Sequence, residues 1–239
     1  KPSDINELAL PKAQQELVKK LAVYNKLLVL VLVQGRPRII REIEPLADAV
    51  VMAYLPGDEG GRALSDILYG KTNPSGKLPY TYPKYSGNAL PYFHKKTDIR
   101  DVNWAFDGFY PQYEFGQGLS YTSFAYSEVR TDKDSLSSSE TINFEVNVQN
   151  TGNRAGKEVV QLFLKDLIAT VSPDVKRLVR FEKINLQPGE TQTVSFQLQA
   201  KDFASIGLEN KWLVEPGSFQ LTVGGHPKKR IQKEVFIKN

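Results

Sequence analysis

Five carboxylates sit where chemistry is conceivable: Asp58 and Glu59 within Tyr54-Leu55-Pro56-Gly57-Asp58-Glu59-Gly60-Gly61, Glu114 near another glycine-rich loop, and Asp4 and Glu7 near the start. Paired Asp/Glu side chains can hydrolyse a glycosidic bond only when they face each other across a cleft. Adjacent residues such as Asp58 and Glu59 cannot flank one bond from opposite sides. Glu59 alone has two readings. It can reach a cleft from the end of a strand, or it can bring negative charge to the first turn of a helix after Gly61, where the macrodipole favours it. The second is preferred.

Other chemistries find less support. No Gly-x-Ser-x-Gly elbow occurs, and His94 stands in an irregular stretch, read as a surface histidine before Lys95-Lys96. Neither a Gly-x-Gly-x-x-Gly turn after a strand nor a phosphate loop is present, so a flavodoxin-like nucleotide binder is set aside. Gly60-Gly61 at a helix start could cradle an anion, but a tight turn explains the pair as well. With no cysteine and 2 histidines, disulfides and thiolate chemistry are excluded and a zinc site is disfavoured. No cofactor and no metal are expected.

The elements that must position these residues can be read from periodicity. The apolar runs Leu27–Val33 and Ala49–Leu55 each stop at a Gly/Pro-bearing loop and are followed by a helical pattern. Runs of this kind suit strands buried on both faces in a parallel sheet, with ligands bound beyond their carboxyl ends. Gly35-Arg36-Pro37 and Pro56–Gly61 lie there, which makes Arg36 and Glu59 cleft-facing candidates. Helices are expected over Pro11–Tyr24, with Pro11 as first helical residue, and over Arg62–Tyr69, with Ala63, Leu64, Ile67 and Leu68 inward and Gly70 as the stop. Ile39–Ala47 is a short helix or turn bent by Pro45, with Ile39, Ile40 and Ile43 inward. Lys77–Tyr82 alternates as a short edge strand.

Residues 84 to 123 lack sustained periodicity and carry Trp104, Phe106, Phe109, Tyr110, Tyr113, Phe115 and Tyr121. So long an aromatic stretch is not a passive connection. It is either apolar filling at a domain junction, the preferred reading, or the wall of a sugar site; Trp104 and Phe106 are the cleft-facing candidates of the second. From Phe124 the period becomes two. Phe124–Val129, Ile142–Val148, Glu158–Leu164, Leu178–Ile184, Thr191–Leu198, Phe219–Val223 and Lys233–Ile237 read as strands of an antiparallel β-sandwich, without an exposed aromatic row.

The bulk composition, 41% hydrophobic and 24% charged with net charge +4, is that of a soluble globular protein. The basic residues are spread, and Lys228-Lys229-Arg230 reads as a solvated hairpin tip, so no nucleic-acid partner is expected. The longest apolar run is 7 residues, too short for a membrane span. No signal peptide is visible, and an opening on Lys1-Pro2 without Met suggests a processed or truncated product.

Four words recur in fixed order: Gly35-Arg36-Pro37, Tyr54–Gly61, Asn73-Pro74-Ser75-Gly76-Lys77-Leu78-Pro79, and Tyr113-Glu114-Phe115-Gly116-Gln117-Gly118-Leu119-Ser120-Tyr121. Together they resemble the C-terminal part of family 3 glycoside hydrolases, the β-glucosidase and exo-glucanase group. Asn150-Thr151-Gly152, Gly156–Leu162 and Pro188–Thr191 look like the fibronectin type III-like domain that ends many of those enzymes. The resemblance implies an α/β plus all-β fold. Residues 1–121 would be the C-terminal part of an α/β sandwich domain with a mostly parallel sheet, of which 84–121 are the aromatic-rich junction. Residues 122–239 would be a fibronectin III-like, immunoglobulin-like β-sandwich.

It also implies a retaining two-carboxylate mechanism that releases terminal β-D-glucosyl residues from a β-glucoside or β-glucan oligosaccharide. In the resembled enzymes the nucleophile Asp belongs to an N-terminal (β/α)8 barrel. The acid/base Glu lies in a loop shortly before a Leu-Pro-x-x-Gln segment, here Leu10-Pro11-Lys12-Ala13-Gln14. Both are therefore expected outside this chain, since Glu7 stands too close to the helix to match, and no catalytic residue is assigned. The chain is expected to be inactive without the barrel, supplied in cis or as a partner chain, and to work in the periplasm or outside the cell. The alternative is a non-catalytic carbohydrate-binding or adhesion module that uses the aromatics of residues 92 to 121.

Overall fold

The structure, a computed structural model, describes residues 7–87, 91–95, 110–137 and 140–238. Its chain falls into two units, one drawn from Lys1–Thr72, Thr81–Leu90 and Phe109–Tyr113, the other from Asn73–Tyr80, Pro91–Gly108 and Glu114–Asn239. Trp104, Phe106 and Phe109 lie outside the described residues.

In the first unit, α1 (Lys12–Ala22) begins one residue later than expected. Pro11 is its N-cap, held extended at ψ 137°, and the Pro11 carbonyl accepts the Gln14 and Gln15 amides at 2.9 and 3.2 Å. Lys19 and Lys20 occupy the last turn, where the macrodipole favours cations. No α1 residue is buried, and Leu17 and Leu21 of its apolar stripe are exposed. β1 (Val29–Val33) and β2 (Ala49–Tyr54) pair in parallel, in register from Val29↔Ala49 to Leu32↔Met52. An irregularity follows, after which Val33 meets Tyr54. The expectation of strands buried on both faces is not met among the described residues: β1 buries Leu30 and Leu32 but exposes Val29 and Val33, and β2 is half-buried at best. A two-stranded sheet has neighbours enough for one face only.

Ile40 and Ile43 are buried, as their spacing requires, and of the short helix or turn expected over Ile39–Ala47 the structure forms the turn, Glu44–Leu46, with Pro45 at its start. Proline removes the amide that a longer helix needs. α2 (Gly60–Leu68) starts two residues earlier than expected, and Gly70 ends it at φ +73°. Its inward face is narrower than the pattern suggested, since Leu64 and Ile67 are half-buried but Ala63 and Leu68 are exposed. Lys77–Tyr82 forms no strand. Leu78 exchanges backbone hydrogen bonds with Gly116 and Gln117, and Tyr82 pairs with Tyr113, but Pro79 between them has no amide to continue a ladder.

The second unit is built by β3 (Phe124–Thr131), β4 (Ser135–Leu136), β5 (Thr141–Asn150), β6 (Gly156–Asp166), β7 (Arg177–Leu186), β8 (Thr191–Gln199), β9 (Ser205–Ile206), β10 (Trp212–Leu213), β11 (Gly217–His226) and β12 (Lys229–Ile237). All seven expected strands are present and run longer than predicted at one or both ends. One sheet has the order β4-β12-β11-β6-β7, the other β3-β5-β8, and β9 and β10 form a small hairpin. Pairing is antiparallel throughout the large strands. The core comes from alternate residues: Ile142, Phe144, Val146 and Val148 on β5 face Val160, Leu162 and Leu164 on β6, with Leu221 and Val223 on β11.

Two of those four words, together with Asn150-Thr151-Gly152 and Gly156–Leu162, act as clamps in this unit. Asn73 Oδ1 accepts the Ser120 hydroxyl at 2.9 Å and the Tyr121 amide at 2.8 Å, while its Nδ2 donates to the Ala155 carbonyl at 3.0 Å. Lys77 Nζ reaches Glu158 at 3.2 Å, and both side chains are almost wholly buried. Gly118 passes so close to the Gly76 backbone that a Cβ would meet the Gly76 carbonyl oxygen at 2.1 Å, so only glycine fits. Asn150, fully buried, bonds Thr122 through Oδ1 and the Arg154 and Leu186 carbonyls through Nδ2, which leaves its amide satisfied.

Two sequence expectations fail here. His94 is buried rather than on the surface; its Nδ1 lies 2.9 Å from the Pro91 carbonyl. Arg230 is not part of a solvated tip: Lys228 and Lys229 are exposed, but the Arg230 guanidinium lies 4.2 Å from the Phe163 ring centroid. Arg230 lost its predicted exposure to Phe163, a residue remote in sequence, whereas the His94 ring turns back onto Pro91 three residues earlier.

Candidate functional site

Because β1 and β2 are parallel neighbours, the loops at their carboxyl ends lie side by side. Gly35 is close enough to Leu55 that a Cβ there would meet Leu55 Cδ1 at 3.3 Å. The β2 end is tightly constrained. Tyr54 takes φ +55°, costly for a bulky residue, and Gly57 follows at φ +70°. Gly60 then packs its backbone onto Pro56, where a Cβ would come within 2.6 Å of the ring. These contacts give Pro56 and Gly60 of the word a steric reason, and they launch α2 directly from the loop.

Glu59 is the N-cap residue of α2, exposed, and its carboxylate makes no capping hydrogen bond. Its charge nonetheless stands at the positive end of the helix. Arg36 is exposed on the neighbouring loop. The structure thus brings Arg36 and Glu59 to adjoining strand ends. Of the remaining carboxylates, Asp58 is exposed, Glu7 is exposed ahead of α1, and Glu114 is paired with Lys176 at 3.6 Å in the other unit. Among the described residues no cluster of three or more His, Cys, Asp and Glu side chains could hold a metal ion.

The residue that sequence reasoning missed is Tyr82. Its ring is buried, its hydroxyl donates to the Arg38 carbonyl at 2.6 Å, and it accepts from Gln34 Nε2 at 3.1 Å. Gln34 and Arg38 flank Gly35-Arg36-Pro37, so one phenol fixes both ends of the loop that carries Arg36. Burial raises the Tyr82 pKa, keeping the hydroxyl a donor. Tyr113 packs edge-on against Tyr82 at 5.7 Å and donates to Glu44 Oε1 at 3.1 Å; burial and the Glu44 charge push its pKa up as well. The sequence signal was the aromatic pair at an otherwise apolar-polar alternation, which a strand assignment absorbed.

In the second unit, Phe115 stacks on Tyr92 at 4.0 Å and both rings meet the edge of Phe163. These two rings fill space and offer no open face to a sugar. Trp212, in contrast, is exposed beside a hollow of about 330 Å³ that Asp166 and Asp174 also line. Burial, reinforced by Glu215, raises the Asp166 pKa.

Comparison with known proteins gives these features a family. The family model "Glycosyl hydrolase family 3 C-terminal domain" matches residues 2–121, and "Fibronectin type III-like domain" matches residues 158–226. A lysosomal β-glucosidase of Dictyostelium discoideum is 40% identical over 93% of this chain, and a periplasmic β-glucosidase of Salmonella typhimurium is 36% identical over 93%. A β-glucosidase structure from Erythrobacter marinus superposes with a TM-score of 0.92 at 37% identity over 99% of the chain. The chain spans only 28%, 30% and 31% of those three proteins. It belongs to glycosyl hydrolase family 3, whose C-terminal domain it carries together with a fibronectin type III-like domain.

Proposed function

We propose that this chain is the C-terminal portion of an exo-acting β-glucosidase that removes terminal β-D-glucosyl residues by a retaining mechanism. Residues 1–121 are the C-terminal part of its α/β sandwich domain, and residues 122–239 are its fibronectin type III-like domain. The observation that carries this reading is the uncovered apolar surface of the α/β unit, where Leu17 and Leu21 of α1, Leu27, Val33 and Leu55 stay exposed although their spacing is that of core residues. Soluble proteins seldom leave so much apolar surface bare without a partner for it. The covering surface is a (β/α)8 barrel portion, in cis or as a separate chain, which supplies the nucleophile Asp. The acid/base Glu also lies outside these residues.

A retaining pair must stand about 5–5.5 Å apart, and the described carboxylates at the strand ends are the sequence neighbours Asp58 and Glu59, which cannot flank one bond. Arg36 and Glu59, at adjoining strand ends, line the cleft and bind the glucoside without performing chemistry; Trp104 and Phe106, the other candidates, lie outside the described residues. The periplasmic relative supports an exported location.

The test is an assay of the 239-residue chain on aryl β-glucosides and aryl β-xylosides, alone and joined to a family 3 barrel portion. No turnover alone and β-glucosidase activity on joining are expected; turnover by the chain alone would overturn the assignment of both carboxylates. A second reading, a carbohydrate-binding module, is favoured by the exposed Trp212 and its neighbouring hollow. Saturable glucan binding that Trp212→Ala abolishes is its signature.

A further inference from the structure

The outward faces of β6, β11 and β12 border a hollow of about 400 Å³. Lys165, Lys176, Lys228 and Arg230 line it, with Gln220 and Thr222 between them. Among the described residues, the carboxylate paired with this group is Glu114, which sits 3.6 Å from Lys176 Nζ. Four cations therefore converge on one hollow against one paired carboxylate.

Arg230 is the least satisfied of them. A guanidinium presents five donors in a fixed fork and stays charged in proteins. Nε and Nη2 of Arg230 are closed off from solvent and have no hydrogen-bond partner among the described residues. The Phe163 ring beneath them, 4.2 Å from the guanidinium carbon, offers a quadrupole but no acceptor. Burial pulls the Arg230 pKa down with Glu114 opposing, and Lys176 is lowered by burial and by the Arg230 charge. A buried charge left short of partners is costly, and a like charge beside it adds to the cost.

We propose that this hollow is an oxyanion-binding site that takes a phosphate- or sulfate-type group, free or carried on a sugar. An oxyanion held there supplies negative charge that the four cations otherwise meet only in Glu114. It acts on the guanidinium through a wall of low dielectric, where a charge counts for more than at an open surface. Arginine and lysine are also the side chains suited to oxyanions, one through its planar fork and the other as a mobile point charge. Lys228, in the turn between β11 and β12, stands exposed at the rim. The inference is independent of the hydrolytic reading, because no residue of the strand-end loops takes part.

Calorimetric titration of inorganic phosphate into the 239-residue chain, at low ionic strength and neutral pH, tests it. Saturable binding at one site is expected, weakened about tenfold or more by Arg230→Met and by Lys176→Met. Lys229→Met, one residue away but exposed and outside the hollow, should leave it unchanged. Lys165→Met serves as a further variant on the outward face of β6, should Arg230→Met loosen the hairpin as judged by circular dichroism. Tighter binding of glucose 6-phosphate than of phosphate, with free glucose inert, identifies a sugar-borne anion; equal binding of phosphate and sulfate identifies a free one. No saturation up to about 10 mM phosphate, or an equal loss in Lys229→Met, overturns the proposal.

Discussion

In the β-sandwich, Ile142, Phe144, Val146 and Val148 are sealed inside one core; in the α/β unit, Leu27, Leu55 and Tyr69 are 89%, 74% and 83% exposed. Residues of the same apolar kind thus serve opposite ends within one chain. Each sandwich strand finds its partner within the unit, sheet against sheet, so the alternation of β5 meets that of β6 and closes. Among the described residues the α/β unit has two strands and two α-helices, too few layers to cover both faces of its sheet. What differs is the supply of packing partners within each unit among the described residues.

The largest expected effect breaks that comparison directly. Val160→Asp places a charge in the sandwich core, where Val160 is fully buried. The loss of apolar burial and the unpaired carboxylate together cost about 5 kcal/mol or more. The matched substitution Leu27→Asp in the α/β unit should leave the melting temperature of the 239-residue chain unchanged. Equal effects of the two would mean that Leu27 is covered in solution, or that the assigned face of β6 is wrong. In a protein that includes the barrel portion, Leu27→Asp should become destabilising.

Lys77→Met comes next. It leaves Glu158 in the sandwich with the Tyr126 hydroxyl at 3.0 Å but without its cation. At 10% and 6% side-chain exposure the pair is screened little by water, and removal of one partner costs about 3–5 kcal/mol. Urea unfolding with an unchanged slope would read it. A loss under about 1 kcal/mol would place the pair among solvated surface bridges.

Alkaline pH affects both units through tyrosine. Burial, then the Glu158 charge, raises the pKa of Tyr126 in the sandwich; burial, then Glu44, raises that of Tyr113 in the α/β unit. The folded state keeps these protons longer than the unfolded chain, so their stabilisation is intact below pH 10 and is lost as pH rises above it. The slope is about 1.4 kcal/mol per pH unit for each fully protected phenol. Tyr126→Phe should flatten the alkaline limb of sandwich unfolding and leave that of the α/β unit as it was.

The sandwich was legible in sequence because period-two alternation is local and its partners repeat it. All seven strands follow from residues such as Phe144, Val146 and Val148 without knowledge of what they face. The α/β unit was legible only in part. Leu27–Val33 was recognisable as a strand, but its burial depends on layers that local sequence does not describe. Arg230 looked like one of three exposed cations because Phe163, which covers it, lies on another strand. The Pro56–Gly61 word marked the strand end correctly, yet its spacing could not tell a cap from a cleft residue at Glu59, since both put a carboxylate at the same helix terminus. Tyr82 escaped notice for a similar reason: a phenol that bridges Gln34 and Arg38 is visible only once the β1 loop has folded against it.

Tyr82→Phe is accordingly the smallest and most local test. It removes the donor to the Arg38 carbonyl and the acceptor for Gln34 while keeping the ring and its edge contact with Tyr113. A single neutral hydrogen bond contributes about 1 kcal/mol, so the unit should stay folded and the sandwich should not respond. The loop should loosen selectively. Faster hydrogen exchange at the Ile39 amide, which donates to the Leu8 carbonyl at 2.8 Å, is the expected readout, with exchange in β5 and β6 unchanged. If Arg36 binds the glucoside, the same change in the barrel-containing enzyme raises KM more than it lowers kcat, because it disturbs the placement of a binding group and leaves the carboxylates alone. A response spread equally over both units would instead make Tyr82 an ordinary core residue, and the contrast between an open wall and a closed sandwich would lose its mechanical basis.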